Sequence, residues 1–123
     1  MKRILIVDDA ATVRMYYRGI LENSGYLVVE AVNGIEALEK ALEEPFDLYI
    51  VDINMPKLDG YGFMNKLRYM DLPQVPAIMV STEAEASDKK QAYAAGANLY
   101  LVKPVKPDEL LINCRLMLGE VLP

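Results

Sequence analysis

The chain has 123 residues, 53% of them hydrophobic and 25% charged, with no histidine, no tryptophan and a single cysteine, Cys114. That length fits one domain against a prior of roughly 150 residues per domain; the missing imidazole excludes Ser-His-Asp and Cys-His catalysis and most zinc sites, and the lone thiol excludes a disulfide framework. A net charge of −5 opposes binding to the phosphate backbone of nucleic acids, which leaves proteins and small ions as the expected partners.

The first apolar run, Ile4 to Val7, stops at Asp8 and Asp9, short of the roughly 7 to 15 residues of a signal segment. No run approaches the roughly 18 residues of a membrane span, so the expectation is a soluble cytoplasmic protein that contacts no membrane. A helical stretch follows, with Val13, Tyr17, Ile20 and Leu21 on one face and Gly25 as its stop. Tyr26 to Val32 reads as a second strand. Asn33, with Glu36 at the third helical position, reads as the cap of a helix that runs to about Glu44 and is stopped by Pro45. Asn33-Gly34 could instead mark a hairpin, but the residues from Ile35 to Glu44 are dense in helix formers and lack strand alternation.

Leu48 to Val51 and Ala77 to Val80 are continuous apolar runs like the first, which suits strands buried on both faces of a parallel sheet. A helix over Gly60 to Tyr69 lies between them. Gly60-Tyr61-Gly62 begins a dinucleotide fingerprint, but Asn65 replaces its third glycine and it does not follow the first strand. Ser87 to Ala95 forms an alanine-rich helix with a poor apolar stripe, which makes it the candidate mobile output element. After Gly96, Asn98 to Val102 is the fifth strand. Pro107 opens a last helix whose apolar face holds Leu110, Cys114, Met117, Leu118 and Val121, with Cys114 read as core.

Five βα repeats in strict alternation predict an α/β fold, a parallel sheet with helices on both faces, in which ligands bind beyond the carboxyl ends of the strands. The residues at those ends are Asp8 and Asp9, Asp52, Ser81 and Lys103. Each alone reads as a solvated turn residue or helix cap. Together they form matched chemistry. Gathered carboxylates repel by roughly 1 to 4 kcal/mol per pair at about 4 Å, so a cation is needed. Oxygen ligands without imidazole or thiolate match a hard ion, Mg2+ above all. Such a site suits a phosphoryl group, with Asp52 as nucleophile, Mg2+ and Lys103 neutralising the transferring oxygens and the Ser81 hydroxyl donating a hydrogen bond. Asn54 cannot shuttle a proton, so an acyl phosphate on Asp52 would lack a strong general base for its hydrolysis and would persist as a signal.

The segments Val7-Asp8-Asp9, Asp52-Ile53-Asn54-Met55-Pro56 through Asp59-Gly60, Val80-Ser81, and Gly96-Ala97 through Tyr100 to Lys103-Pro104 resemble, in order and spacing over nearly the whole chain, the receiver domain of two-component response regulators. The single-domain chemotaxis members are the nearest in pattern. The resemblance implies one receiver domain over residues 1–123, a doubly wound (βα)5 fold with strand order 2-1-3-4-5, and phosphorylation of Asp52 by a histidine kinase. It implies Mg2+ held by Asp9, Asp52 and the backbone carbonyl of Asn54, with Asp8 acting through water. Ser81 and Tyr100 match a switch pair, Lys103-Pro104 a cis peptide bond, and Asn54 with Glu83 the positions that tune dephosphorylation.

The implied output surface is formed by the fourth helix, fifth strand and fifth helix, with Lys89, Lys90, Gln91 and Tyr100 as exposed candidates for contact with an output protein. Asn98-Leu99 stands where dimerising DNA-binding regulators usually carry acidic residues, so a monomer is expected. The implied function is a signalling switch of a two-component phosphorelay, with chemotaxis as one setting, and not an enzyme beyond its own phosphorylation and slow autodephosphorylation. Three other readings compete with it. One is a receiver cut from a longer transcriptional regulator. Another is a degenerate receiver acting as a scaffold, disfavoured because no phosphorylation-site residue is missing. The third, a haloacid-dehalogenase-type aspartate phosphatase, wants a second Asp where Asn54 stands.

Overall fold

A computed structural model describes residues 1–120. Val121, assigned above to the face of the last helix, lies outside the described residues. Strands and helices alternate as β1 (Arg3–Val7), α1 (Ala11–Asn23), β2 (Leu27–Ala31), α2 (Gly34–Glu43), β3 (Leu48–Asp52), α3 (Gly60–Tyr69), β4 (Ala77–Ser81), α4 (Ala86–Ala94), β5 (Leu99–Val102) and α5 (Pro107–Met117). All strand pairings are parallel, in the order β2-β1-β3-β4-β5.

The continuous apolar runs are divided residue by residue between two cores. Leu5, Val7, Tyr49, Val51, Ala77 and Met79 face a layer built from α2, α3 and α4, with Phe63, Met64 and Leu67 at its centre. Ile4, Ile6, Leu48, Ile50, Ile78 and Val80 face α1 and α5, against Tyr17, Leu21, Leu110 and Cys114. Because successive side chains point to opposite faces, a strand covered on both sides needs apolar residues at every position. That is why β1, β3 and β4 could be read without ambiguity.

Local chemistry sets the helix boundaries. The Asn33 side chain accepts a hydrogen bond from the Glu36 backbone N–H at 2.9 Å, so the cap is observed and no hairpin forms. Asp59 caps α3 in the same way through the Gly62 N–H at 2.8 Å. Gly96, at φ +110°, ends α4, and a side chain there would collide with Arg68. Strand limits differ slightly from expectation at the sheet edges. Tyr26 and Val32 fall outside β2, and Asn98 precedes β5, where its side-chain oxygen accepts from the Ala77 N–H at 2.9 Å and from Arg68 at 3.1 Å. Among the described residues no helix is long and apolar enough to cross a membrane.

Candidate functional site

The strand order reverses between β1 and β3, and β1 and β3 deliver Asp8, Asp9 and Asp52 to that switch point. The three carboxylates each place an oxygen within 4.8 Å of the others. Asp8 and Asp52 are buried, at 1% and 8% exposure, whereas Asp9 faces solvent. The Lys103 ammonium enters from the end of β5 and donates to Asp52 Oδ1 at 3.0 Å and to Asp8 Oδ2 at 3.3 Å. Asp8 Oδ1 also accepts from the Ala10 N–H at 2.9 Å, ahead of a helix that has no side-chain cap of its own.

Burial pushes the Asp52 carboxyl above its usual range; the Lys103 hydrogen bond opposes this, while the negative charges of Asp8 and Asp9 add to it. For Lys103 burial favours the neutral amine, but its hydrogen bond to Asp52 and the fields of Asp8 and Asp52 prevail and raise its pKa. One ammonium thus faces three carboxylates. The donors are all oxygens, the charge is undercompensated, and one ligand is open to solvent. That set fits a hard divalent cation with retained waters, as Mg2+ prefers.

The structure brings the remaining predicted residues to the same edge. Ser81, at 1% exposure, ends β4, and its hydroxyl accepts from the Glu83 N–H at 3.1 Å. Glu83 and Asn54 are both exposed, on the loops that follow β4 and β3 at this sheet edge. The Lys103–Pro104 peptide is cis. Gly60 lets α3 begin close behind Asp52: a Cβ there would sit 2.4 Å from the Asp52 carbonyl oxygen. This close approach, and not a dinucleotide, accounts for the Asp59-Gly60 step.

One expectation is corrected. Lys89, Lys90 and Gln91 are exposed on α4, but Tyr100 is not an exposed contact residue. It is 7% exposed, with its ring in the core beneath α4 and its hydroxyl donating to the Glu83 carbonyl at 2.7 Å. In the alternation of β5 its side chain shares a face with Met79, its register partner on β4.

Two charged residues went unassigned in the sequence. Arg14 of α1 donates to the Asp8 carbonyl oxygen at 2.7 Å and to Glu30 of β2 at 2.8 Å. The available signal was Glu30 itself, a carboxylate inside the otherwise apolar run Leu27-Val28-Val29-Glu30-Ala31, with Arg14 and Arg18 one turn apart on the preceding helix. Beside the pocket, a hollow of about 420 Å³ opens between α1 and the segment after β5, lined by Tyr16, Tyr17, Thr82 and Val105 among others. The Tyr17 hydroxyl there is pushed up by burial and by the nearby charges of Asp8 and Asp52.

The sheet order and the acidic edge at its switch point define a doubly wound α/β domain of the CheY type. The sequence profile of the response regulator receiver domain matches residues 4–115. The chain belongs to that family and is a receiver domain of two-component response regulators. It is 43% identical over 110 residues to the chemotaxis protein CheY of Bacillus subtilis, covering 89% of this chain and 91% of that protein. It is 36% identical over 116 residues to the transcriptional regulatory protein ResD of the same species, covering 94% of this chain and 48% of ResD. The chain spans about half the length of the curated transcriptional regulators it matches. Among solved structures, the chemotaxis response regulator CheY4 of Vibrio cholerae superposes with a TM-score of 0.90 at 36% identity, covering 95% of this chain and 98% of that one. A putative response regulator from Chloroflexus aurantiacus gives 0.92 at 34% identity, covering 97% and 98%. The family match removes the aspartate-phosphatase reading.

Proposed function

We propose that this chain is a phosphorylation-operated switch in which Asp52 takes a phosphoryl group from a phosphohistidine on a partner kinase. An Asp52 carboxylate oxygen forms the new bond to phosphorus as the bond to the imidazole nitrogen breaks, and the imidazole leaves with the kinase. Asp9, Asp52 and the Asn54 carbonyl would hold Mg2+, with Asp8 acting through a bound water. The ion, when bound, supplies positive charge to the phosphoryl oxygens. Lys103 supplies fixed positive charge at the same place, and Ser81 is placed to donate its hydroxyl once the oxygens arrive. The observation that carries this reading is the convergence of Asp8, Asp9, Asp52 and Lys103 on one sheet edge.

The transmission path runs through Glu83. Its N–H is tied to Ser81 and its carbonyl to Tyr100, so a Ser81 movement toward a phosphoryl group disturbs the backbone that Tyr100 holds. The consequence is a changed α4-β5-α5 face for an output protein. Asn54 and Glu83, exposed on the loops after β3 and β4, are the residues proposed to set how fast water reaches the acyl phosphate. The reading is of a cytoplasmic, monomeric receiver that turns over only its own phosphate.

The match to nearly all of CheY favours a stand-alone role, with chemotaxis as its setting; the half-length matches to transcriptional regulators favour a role as the receiver of such a protein. Capture of partners by the phosphorylated form, with Asp52→Asn as the control, separates the two. For the switch itself, incubation with a small phosphodonor and Mg2+ is expected to give an acid-stable, hydroxylamine-labile adduct by intact mass. Its absence, or its persistence in Asp52→Asn, would sink the reading.

A further inference from the structure

Of the three carboxylates, Asp9 alone faces solvent, so its direction depends on the backbone that carries it. That backbone is the loop between β1 and α1, where the Asp8 carboxylate accepts from the Ala10 N–H after Asp9 and the Arg14 side chain holds the peptide before it. The Arg14 guanidinium donates to the Asp8 carbonyl oxygen at 2.7 Å, which fixes the plane of the peptide joining Asp8 to Asp9. A bond from a charged donor at this distance is among the stronger ones a carbonyl can accept.

Arg14 is itself restrained. Its Nε donates to Glu30 at 2.8 Å, and the other Glu30 oxygen pairs with Arg18. Glu30 pairs in register with Ile6 on β1, so its side chain points to the sheet face on which α1 packs. Arg14 and Arg18, one turn apart on α1, therefore reach the same carboxylate. Burial works against ionised Glu30, but the two guanidiniums outweigh it and hold its carboxyl below the usual range. Three elements, β1, α1 and β2, thus meet at one arginine that touches the pocket only through a carbonyl.

We propose that Arg14 is a positioning residue for the Asp9 carboxylate, acting through the Asp8 carbonyl, with Glu30 fixing Arg14 in turn. The inference rests on the reading of Asp8, Asp9 and Asp52 as the cluster that holds Mg2+.

Two competing roles make different predictions. A purely structural tie between α1 and β2 lowers stability when cut and leaves metal affinity alone. A purely electrostatic role predicts the opposite sign from positioning, because removing a cation near the site would tighten the binding of another cation. Positioning alone predicts weaker binding.

The experiment is calorimetric titration of the full chain with Mg2+, alongside thermal unfolding in chelator. Arg14→Met is expected to weaken Mg2+ about tenfold or more, the range typical for groups that orient metal ligands. Arg14→Lys, which keeps the positive charge and loses the fork that spans Glu30 and the Asp8 carbonyl, is expected to weaken it in the same direction by less, where a purely electrostatic role predicts no change, and it serves if Arg14→Met does not fold. Affinity within twofold of wild type, or tighter, in the folded variants would overturn the proposal, whatever happens to the unfolding temperature. Wild-type protein that binds no Mg2+, or an Asp9→Asn variant that binds it as wild type does, would instead overturn the metal reading itself and the Arg14 inference with it.

Discussion

At the scale of single residues, the site is a set of charges that the fold holds together against their repulsion. Asp8 and Asp52 share one ammonium, Asp9 has no share in it, and burial adds to the cost of ionised Asp52. Relief of that repulsion should be visible in the metal-free protein. Asp52→Asn is expected to raise metal-free stability by about 1 kcal/mol in urea unfolding, the scale of one carboxylate pair at high effective dielectric, and to abolish stabilisation by added Mg2+. If Mg2+ still stabilises this variant as it does wild type, the metal sits elsewhere. These residues were legible in sequence because each interrupts an apolar run at its carboxyl end. Arg14 was not, because its tie to Asp8 depends on how α1 lies across β2, which no local pattern encodes. Tyr100 was placed at the right strand and on the wrong side of the surface, since four residues of an edge strand do not show which face is covered.

At the scale of elements, the helices differ in how firmly the cores hold them. Only Ala92 of α4 is buried, while α5 sets Leu110 and Cys114 fully into the core. Few buried contacts mean a low cost of local opening. Amide exchange is accordingly expected to be fastest in α4 among the helices, and a protection for α4 equal to that of α3 would contradict its role as the movable output element.

The α5 core gives a pH signature. Burial pushes the Cys114 thiol from about 9 up to about 12, so the folded state disfavours the thiolate. This contribution to stability is whole below pH 9 and is lost as pH rises toward 12, because the unfolded chain releases the proton first. Urea midpoints across that range should fall less steeply in Cys114→Ala than in wild type, even though the variant starts lower at pH 7. Equal slopes would show that the thiol does not contribute. The start of α2 was readable from its Asn33 cap, whereas the Asp59 cap of α3 emerged only in the structure and the limits of β2 blurred because Leu27 and Val32 sit exposed at a sheet edge.

At the scale of the whole molecule, the parallel sheet converts five separate strand ends into one surface. The alternation of apolar runs with helical stretches announced this architecture, because burial on both faces confines the charged and hydroxyl-bearing site positions of β1, β3 and β4 to their ends. Strand order was a different matter: crossovers leave no local trace, and 2-1-3-4-5 rested on resemblance until the pairings were seen. The absent histidine fits the same picture. A chain without imidazole cannot itself carry a phosphohistidine, so on the proposed reading a histidine donor belongs to a partner.

Of the three adjacent carboxylates, Asp52 is the proposed acceptor. Borohydride trapping after incubation with a small phosphodonor and Mg2+, followed by peptide mapping, tests it directly. Reductive conversion of Asp52 alone, in the peptide that spans β3, is the expected result. Conversion at Asp8 or Asp9, or none anywhere in a protein that binds Mg2+, would contradict it.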